Sequence, residues 1–293
     1  MGIAEDFSIF YNRILISTET MGTISSRYKR ITRQLNRDFW QSESETNNSL
    51  YIGSYGRDTA SSGISDLDIG FLLPAKLYQT YNSYTGNGQS ALLQAVKTSI
   101  QKTYSTSEAF GDGQVVVLNF NDGITFEVLP AFVNTENSWT YPNANAGGSW
   151  KVCNPRAEMT AIHDRHVVTN KNLKKLSRIS RIWKRYCDVP ISGMLIDTLA
   201  YQFIESYEHR EKSFLYYDWL FRDFFDFLSK RDQNQTTWRA PGSGSYVYRK
   251  GIFEHKARSA HLRAVEAISA ATNGNEWSSR QKWREIFGTS YPS

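Results

Sequence analysis

Asp66 and Asp68 stand one residue apart at the head of the apolar run DLDIGFLLP, residues 66–74. In a β-strand successive side chains alternate between faces, so both carboxylates project from one face. Two close negative charges need a reason to tolerate each other. A divalent cation supplies one, and Mg²⁺ accepts carboxylate oxygens while keeping waters and substrate phosphates. A third acid stands in TFEVLP, residues 125–130, where Glu127 interrupts an otherwise apolar strand. A break in local pattern of that kind is expected at a functional site. With this strand beside the first, Asp66, Asp68 and Glu127 would meet around two metals, an arrangement suited to in-line phosphoryl or nucleotidyl transfer.

Gly53-Ser54 precedes the acid pair by eleven residues and closes the short apolar stretch LYIG. A glycine at a strand end lets backbone N–H groups approach a phosphate, and the Ser54 hydroxyl adds a donor. Together they could hold the β- and γ-phosphates of a triphosphate. Asp-x-Asp and Gly-Ser are each common; the specific signal is their combination between two strands, followed by a hairpin carrying an out-of-pattern acid. The competing reading is a surface turn with solvated aspartates. The sequence has no G-x-x-x-x-G-K-[ST], so a P-loop is not supported.

The elements that must carry these residues follow from periodicity. Residues 5–40 read as helical, 41–49 as a polar connector, and 89–104 as an amphipathic helix. QVVVLNFNDGITFEVLPAFV holds two β-runs about Asp122-Gly123, a dipeptide that favours a φ > 0 hairpin turn. From about residue 155 helical spacing takes over, with one Gly/Ser-rich stretch, RAPGSGSYVYRKG, whose two readings are a lid and, in preference, a flexible link. These patterns predict a catalytic lobe over 1–155 and a helical lobe over 156–293.

With 293 residues, 40% of them hydrophobic, the chain can bury a sizeable core. A net charge of +5 is compatible with anionic partners without demanding them. Cys153 and Cys187 are too few for a disulfide framework, which points to a reducing compartment. The N-terminus has no signal pattern and no apolar run is long enough to span a membrane, so the expectation is a cytoplasmic protein without membrane contact.

At these residues the chain resembles the bacterial cyclic-GMP–AMP-synthase/DncV-like nucleotidyltransferases of the polymerase-β-like superfamily, also called CD-NTases or SMODS nucleotidyltransferases. GSYGRDTASSGISDLDIGFLLP is the most specific segment. FEVLPAF (126–132) resembles the group's third-acid strand, LKKLSRISRIWKRYCDVPISGMLIDTLAY (173–201) its helical-lobe core, and WREIFGTSYP (283–292) its C-terminal end. The resemblance implies an α+β fold: a mixed sheet flanked by helices plus a C-terminal helical lobe, with the active site between them. It implies synthesis of cyclic di- or trinucleotides from NTPs with Mg²⁺ or Mn²⁺, releasing pyrophosphate, as second messengers in anti-phage (CBASS-type) defence. Carried over, Asp66 and Asp68 bind both metals. Glu127 binds the catalytic metal and helps activate the acceptor hydroxyl, and Gly53 and Ser54 touch the donor triphosphate. Lys184 takes the family's triphosphate-binding lysine position. Ser192 occupies the place of a serine beside a base-stacking aromatic, but Gly193 and Met194 follow it, so base stacking must come from elsewhere. The implied partners are a product-binding effector and a regulatory or conjugating partner at the C-terminal tail, which reads as mobile.

Other features have plainer readings. Lys174, Arg178, Arg181 and Arg185 form one helical stripe, a solvated charged face or a nucleic-acid surface. Lys184 lies off that stripe, a phosphate ligand or a snorkelling lysine. The five histidines show no metal spacing, and His163 and His166 suit surface or capping roles. The aromatic run 214–228 suits the core of the helical lobe. Two other functions compete: transfer of a nucleotide to an RNA end or a protein, and an inactive sensor of nucleotide or nucleic acid.

Overall fold

The chain runs, in a computed structural model describing residues 2–293, through α1 (Ile3–Arg13), α2 (Thr18–Trp40), β1 (Ser49–Tyr51), the single turn α3 (Gly53–Gly56), β2 (Asp66–Leu72), α4 (Ala75–Asn82) and α5 (Gly88–Gln101). There follow β3 (Ala109–Asp112), β4 (Val115–Asn119), β5 (Thr125–Val133), β6 (Trp139–Asn143) and β7 (Ser149–Cys153). The rest is α6 (Pro155–Val168), α7 (Asn172–Tyr186), α8 (Gly193–Ser206), α9 (Tyr217–Ser229), β8 (Thr237–Arg239), β9 (Tyr246–Tyr248), α10 (Glu254–Thr272) and α11 (Glu276–Phe287). Two units emerge. A strand-bearing unit comprises Ile16–Arg57 and Gly63–Arg156; a helical unit comprises the segment ending at Leu15, Asp58–Ser62 and Ala157–Ser293. Relative to a division at 155/156, α1 and Asp58–Ser62 cluster with the helices.

In the strand-bearing unit a mixed sheet is ordered β1-β2-β5-β4-β3, with β6 and β7 continuing from the end of β5. β2 and β5 are parallel, and the other pairs are antiparallel. Leu67, Ile69 and Phe71 point from β2 into the same core as Phe126 and Val128, beneath α2 and α5. Each such burial contributes about 1.5–3 kcal/mol. The opposite face carries Asp66, Asp68 and Glu127 at one end. Beside them lies a small apolar cluster of Ile52, Leu129, Ala131 and Trp139. The Asp122-Gly123 hairpin is present, but its turn spans Asn121–Gly123. Gly123 N–H donates to Phe120 O at 3.0 Å, and only Gly123 takes positive φ, at +81°. That is the three-residue hairpin with glycine in the left-handed position, not the two-residue turn.

The expected 5–40 helix is two helices. Ser17 caps α2 by accepting from Thr20 N at 3.1 Å, which ends the run through Ile14–Ile16. The polar connector after α2 is latched by the buried Asn36, whose side-chain amide donates to Ser44 O and Asn47 O.

In the helical unit Phe7 and Phe10 of α1 join Phe221, Phe225, Trp283 and Phe287 in one core. The aromatic run is only partly core: Leu215, in the turn before α9, is exposed, and so is Trp219, because α9 turns just one face inward. The tail is not free either. Tyr291 is fully buried, 5.3 Å from the Phe7 ring and 5.4 Å from Phe10. The Gly/Ser stretch is no loose link but the connection of the β8–β9 hairpin, with Ser243 Oγ donating to Glu158 Oε1 at 2.8 Å. The basic stripe of α7 is also not a solvated face. Arg178 is 7% exposed, and Arg181 makes a two-pronged ion pair with the fully buried Asp197, with N–O distances of 2.7 and 2.8 Å. His166 does cap, accepting from Lys174 N at Nδ1, 3.2 Å.

Candidate active site

The parallel register of β2 and β5 sets the site. Asp66 stands opposite Thr125 and Asp68 opposite Glu127. Because neighbours in register share a face, all three carboxylates project from the same side of the sheet. Asp66 is exposed; Asp68 and Glu127 are half-buried. The other edge of β2 is held by β1, with Ile52 N–H donating to Asp68 O at 2.9 Å. The chain then turns at once into α3, which begins at Gly53.

Gly53 has φ +60°, and a Cβ there would come within 1.7 Å of Asp68 Oδ2. The glycine therefore has two causes, a left-handed backbone and the carboxylate lying against it. Ser54 follows in the same turn, half-buried. The Gly-Ser turn and the acid pair are thus direct neighbours, although eleven residues separate them along the chain.

Electrostatics give the site its character. Burial raises the pKa of Asp68; Arg57 opposes this and Asp66 adds to it. Burial likewise raises Glu127, and the charges of Asp68, Asp66 and Asp112 push the same way. The acids destabilise one another as anions. A hard divalent cation is the ligand that such a donor set fits, since it takes carboxylate oxygens and cancels the repulsion. Among the described residues no group of three His, Cys, Asp or Glu side chains is arranged to hold a metal as it stands.

The strand-bearing unit by itself brings together Gly53, Ser54, Asp66, Asp68 and Glu127. Lys184 and Ser192 belong to the helical unit. Lys184 is half-buried in the last turn of α7. Ser192 caps α8, accepting from Leu195 N at 3.1 Å. Sequence reasoning missed Arg57, 6% exposed, whose charge favours ionised Asp68. Its signal was an arginine three residues beyond Ser54, between glycine and aspartate, where no apolar pattern drew attention.

The family model of the Second Messenger Oligonucleotide or Dinucleotide Synthetase (SMODS) domain matches residues 1–166. The chain belongs to this family, the bacterial CD-NTase nucleotidyltransferases. No curated protein matches. Among solved structures, Vibrio cholerae DncV, a cyclic AMP–GMP synthase bound to the linear intermediate pppA(3′,5′)pG, is similar with a TM-score of 0.74. Identity is 12%, with 98% of this chain and 96% of that chain covered. Escherichia coli MS115-1 CdnC, in complex with HORMA-deltaN, has a TM-score of 0.72 at 13% identity, covering 99% and 98%. Bradyrhizobium diazoefficiens CdnG with GTP has a TM-score of 0.66 at 14% identity, covering 97% and 94%. At these identities the likeness concerns the fold: a polymerase-β-like core plus a helical lobe. Among the described residues no helix is long and apolar enough to cross a membrane.

Proposed function

We propose that the chain joins two or three nucleoside triphosphates into a cyclic second messenger, releasing pyrophosphate. The observation that carries this is the register of Asp68 beside Glu127 on the sheet face that also meets the Gly53 turn. A 2′- or 3′-hydroxyl of one nucleotide attacks the α-phosphorus of another. The new P–O bond forms as the bond to pyrophosphate breaks, and a second attack closes the ring. The chemistry that bound Mg²⁺ or Mn²⁺ supplies is charge neutralisation on the phosphates and the leaving group. Asp66 and Asp68 would hold both ions. Glu127 would hold one and help draw the proton from the attacking hydroxyl. Gly53 and Ser54 donate to the donor triphosphate.

In this reading residues 1–155 form the catalytic lobe and 156–293 a lobe that closes on substrate. Lys184 reaches the triphosphate. Ser192, whose oxygen accepts the α8 cap bond, still has its own hydrogen to donate to a nucleotide. The setting is the bacterial cytoplasm and CBASS-type anti-phage signalling, with a product-binding effector downstream. The CdnC complex with HORMA-deltaN favours a regulatory protein partner as well.

The test is incubation of the protein with all four NTPs and Mg²⁺ or Mn²⁺, then phosphatase treatment and mass spectrometry. A phosphatase-resistant cyclic mass, absent from an Asp66→Ala/Asp68→Ala control, is expected. Linear products alone would exclude cyclisation. Label from ATP appearing on RNA or protein would assign a macromolecular acceptor instead.

A further inference from the structure

The eleven residues between Ser54 and Asp66 are not a slack connection. Their middle five, Asp58–Ser62, fold with the helical unit, while Arg57 and Gly63 on either side belong to the strand-bearing unit. Asp58 lies four residues after Ser54 and Ser62 four residues before Asp66, so both halves of the motif lead straight into this segment.

The basic stripe of α7 grips it. Arg178 Nε donates to Ala60 O at 2.6 Å, and its Nη2 donates to Asp58 O at 2.9 Å and Asp58 Oδ1 at 2.6 Å. Its Nη1 donates to the Tyr11 hydroxyl. Arg185 donates to Ser62 O at 2.7 Å, and Ser62 N–H to Ile14 O at 2.7 Å. Lys174 Nζ lies 3.4 Å from Asp58 Oδ2. Thr59, fully buried, donates from Oγ1 to Asp197 Oδ2 at 2.9 Å. An exposed loop would leave these backbone groups to water; here they end on protein.

The Asp197–Arg181 pair costs desolvation, and fixing register is the best-attested use of a buried ion pair. What it can fix here is the Thr59 hydroxyl. Arg181 is itself tied to Ser177 O and Gly193 O, so the acceptor offered to Thr59 has little freedom.

Resting on the nucleotidyltransferase reading above, we propose that Asp58–Ser62 is a strap whose bonds hold taut the segment that runs from the Gly53-Ser54 turn to the Asp66–Asp68 strand. Thr59, Arg178, Arg181 and Asp197 are its positioning residues. One residue, Arg57, separates the strap from α3, whose closing bonds are Gly56 N–H to Ile52 O and Arg57 N–H to Gly53 O. Slack in the strap therefore reaches the turn through a single residue.

Amide hydrogen exchange on the full chain tests this without requiring activity. Thr59→Val keeps the shape and deletes the hydroxyl; Thr59→Ser restores it. In Thr59→Val, exchange at the Asp58–Ser62 amides should rise about tenfold. The Gly56 and Arg57 amides should rise with them, and serine should reverse both. If the valine variant does not fold, Arg185→Gln, which removes a grip from an exposed side chain, should give the same paired change. A rise confined to Asp58–Ser62, or no rise there, overturns the proposal. A parallel titration with ATP and Mn²⁺ should show Thr59→Val weakening binding about tenfold and serine restoring it. Unchanged binding beside raised exchange would reduce the strap to a folding element and overturn its positioning role. A wild-type chain that binds no triphosphate would fail the proposed function, while the exchange at Gly56 and Arg57 would still decide the strap.

Discussion

The acids of β2 and β5 and the cations of α7 are both tight charge clusters, and the chain treats them oppositely. On α7 each arginine of the stripe has found oxygen. Arg181 is matched two-pronged by Asp197, and Arg178 spends its nitrogens on Asp58, Ala60 and Tyr11. On the sheet, burial pushes Asp68 and Glu127 toward the protonated form; Arg57 opposes this at Asp68 and Asp66 adds to it, while Asp68, Asp66 and Asp112 add to it at Glu127. Balanced charge there serves architecture; here the carboxylates outnumber the one arginine, Arg57, that offsets them. Clustered carboxylates of this kind lower stability, a cost often met where a site serves function.

The comparison makes predictions of opposite sign, the largest on the balanced side. Asp197→Ala strands Arg181 in the interior and should cost about 3–5 kcal/mol, read as a loss in denaturant midpoint. A cost under ~1 kcal/mol would mean that the pair is not effectively buried. On the unbalanced side, Asp68→Asn should abolish product, a loss on the order of 10²–10³-fold or more. Yet it should raise the melting temperature at pH 7. The sign follows from linkage. A carboxyl with a raised folded pKa contributes stability when protonated and loses it as pH rises through that pKa, so removing the charge relieves a neutral-pH penalty. A variant that is both inactive and less stable would break the contrast.

Gly53→Ala sharpens it, because the new methyl meets both an unfavourable φ and the Asp68 carboxylate. A destabilisation of about 1–3 kcal/mol is expected. Adding Asp68→Gly should recover part of it by clearing the space; equal losses in the single and double variants would place the cost in the backbone alone.

The smallest effect concerns His166. Burial, then the Lys174 charge, lowers its pKa from 6.5 to about 4; Lys175 and His163 act the same way, and Asp58 opposes them. A histidine kept neutral in the fold contributes stability that is full above pH 6.5 and declines as pH falls toward about 4. The loss should be on the order of 1–2 kcal/mol, seen in urea midpoints between pH 7 and 5. His166→Asn, which can still accept from Lys174 N–H, should flatten that dependence.

The same two regions show what a sequence reveals. The acid triad was legible because strand periodicity is two and the pattern violation at Glu127 is local. Even so, only the β2–β5 register could put it beside Asp68. The α7 stripe was legible as a face, but a helical wheel does not say what covers that face. Its cover is a five-residue segment more than 100 residues upstream and an aspartate on the next helix. Ser192 illustrates the same limit: a serine before a helix is a cap by local physics, and the sequence cannot show where its remaining hydrogen points. Tyr291 looked like part of a loose tail because its partners, Phe7 and Phe10, lie at the other end of the chain.

Asp66, Asp68 and Glu127 are proposed as a cation site held in repulsion. Thermal melting of the wild-type chain and Asp68→Asn with rising Mn²⁺ tests it most directly. Mn²⁺ should raise the melting temperature of the wild type, from a lower starting point, and leave Asp68→Asn nearly unmoved. Equal shifts in both proteins, or a wild type indifferent to Mn²⁺ at millimolar concentration, would contradict it.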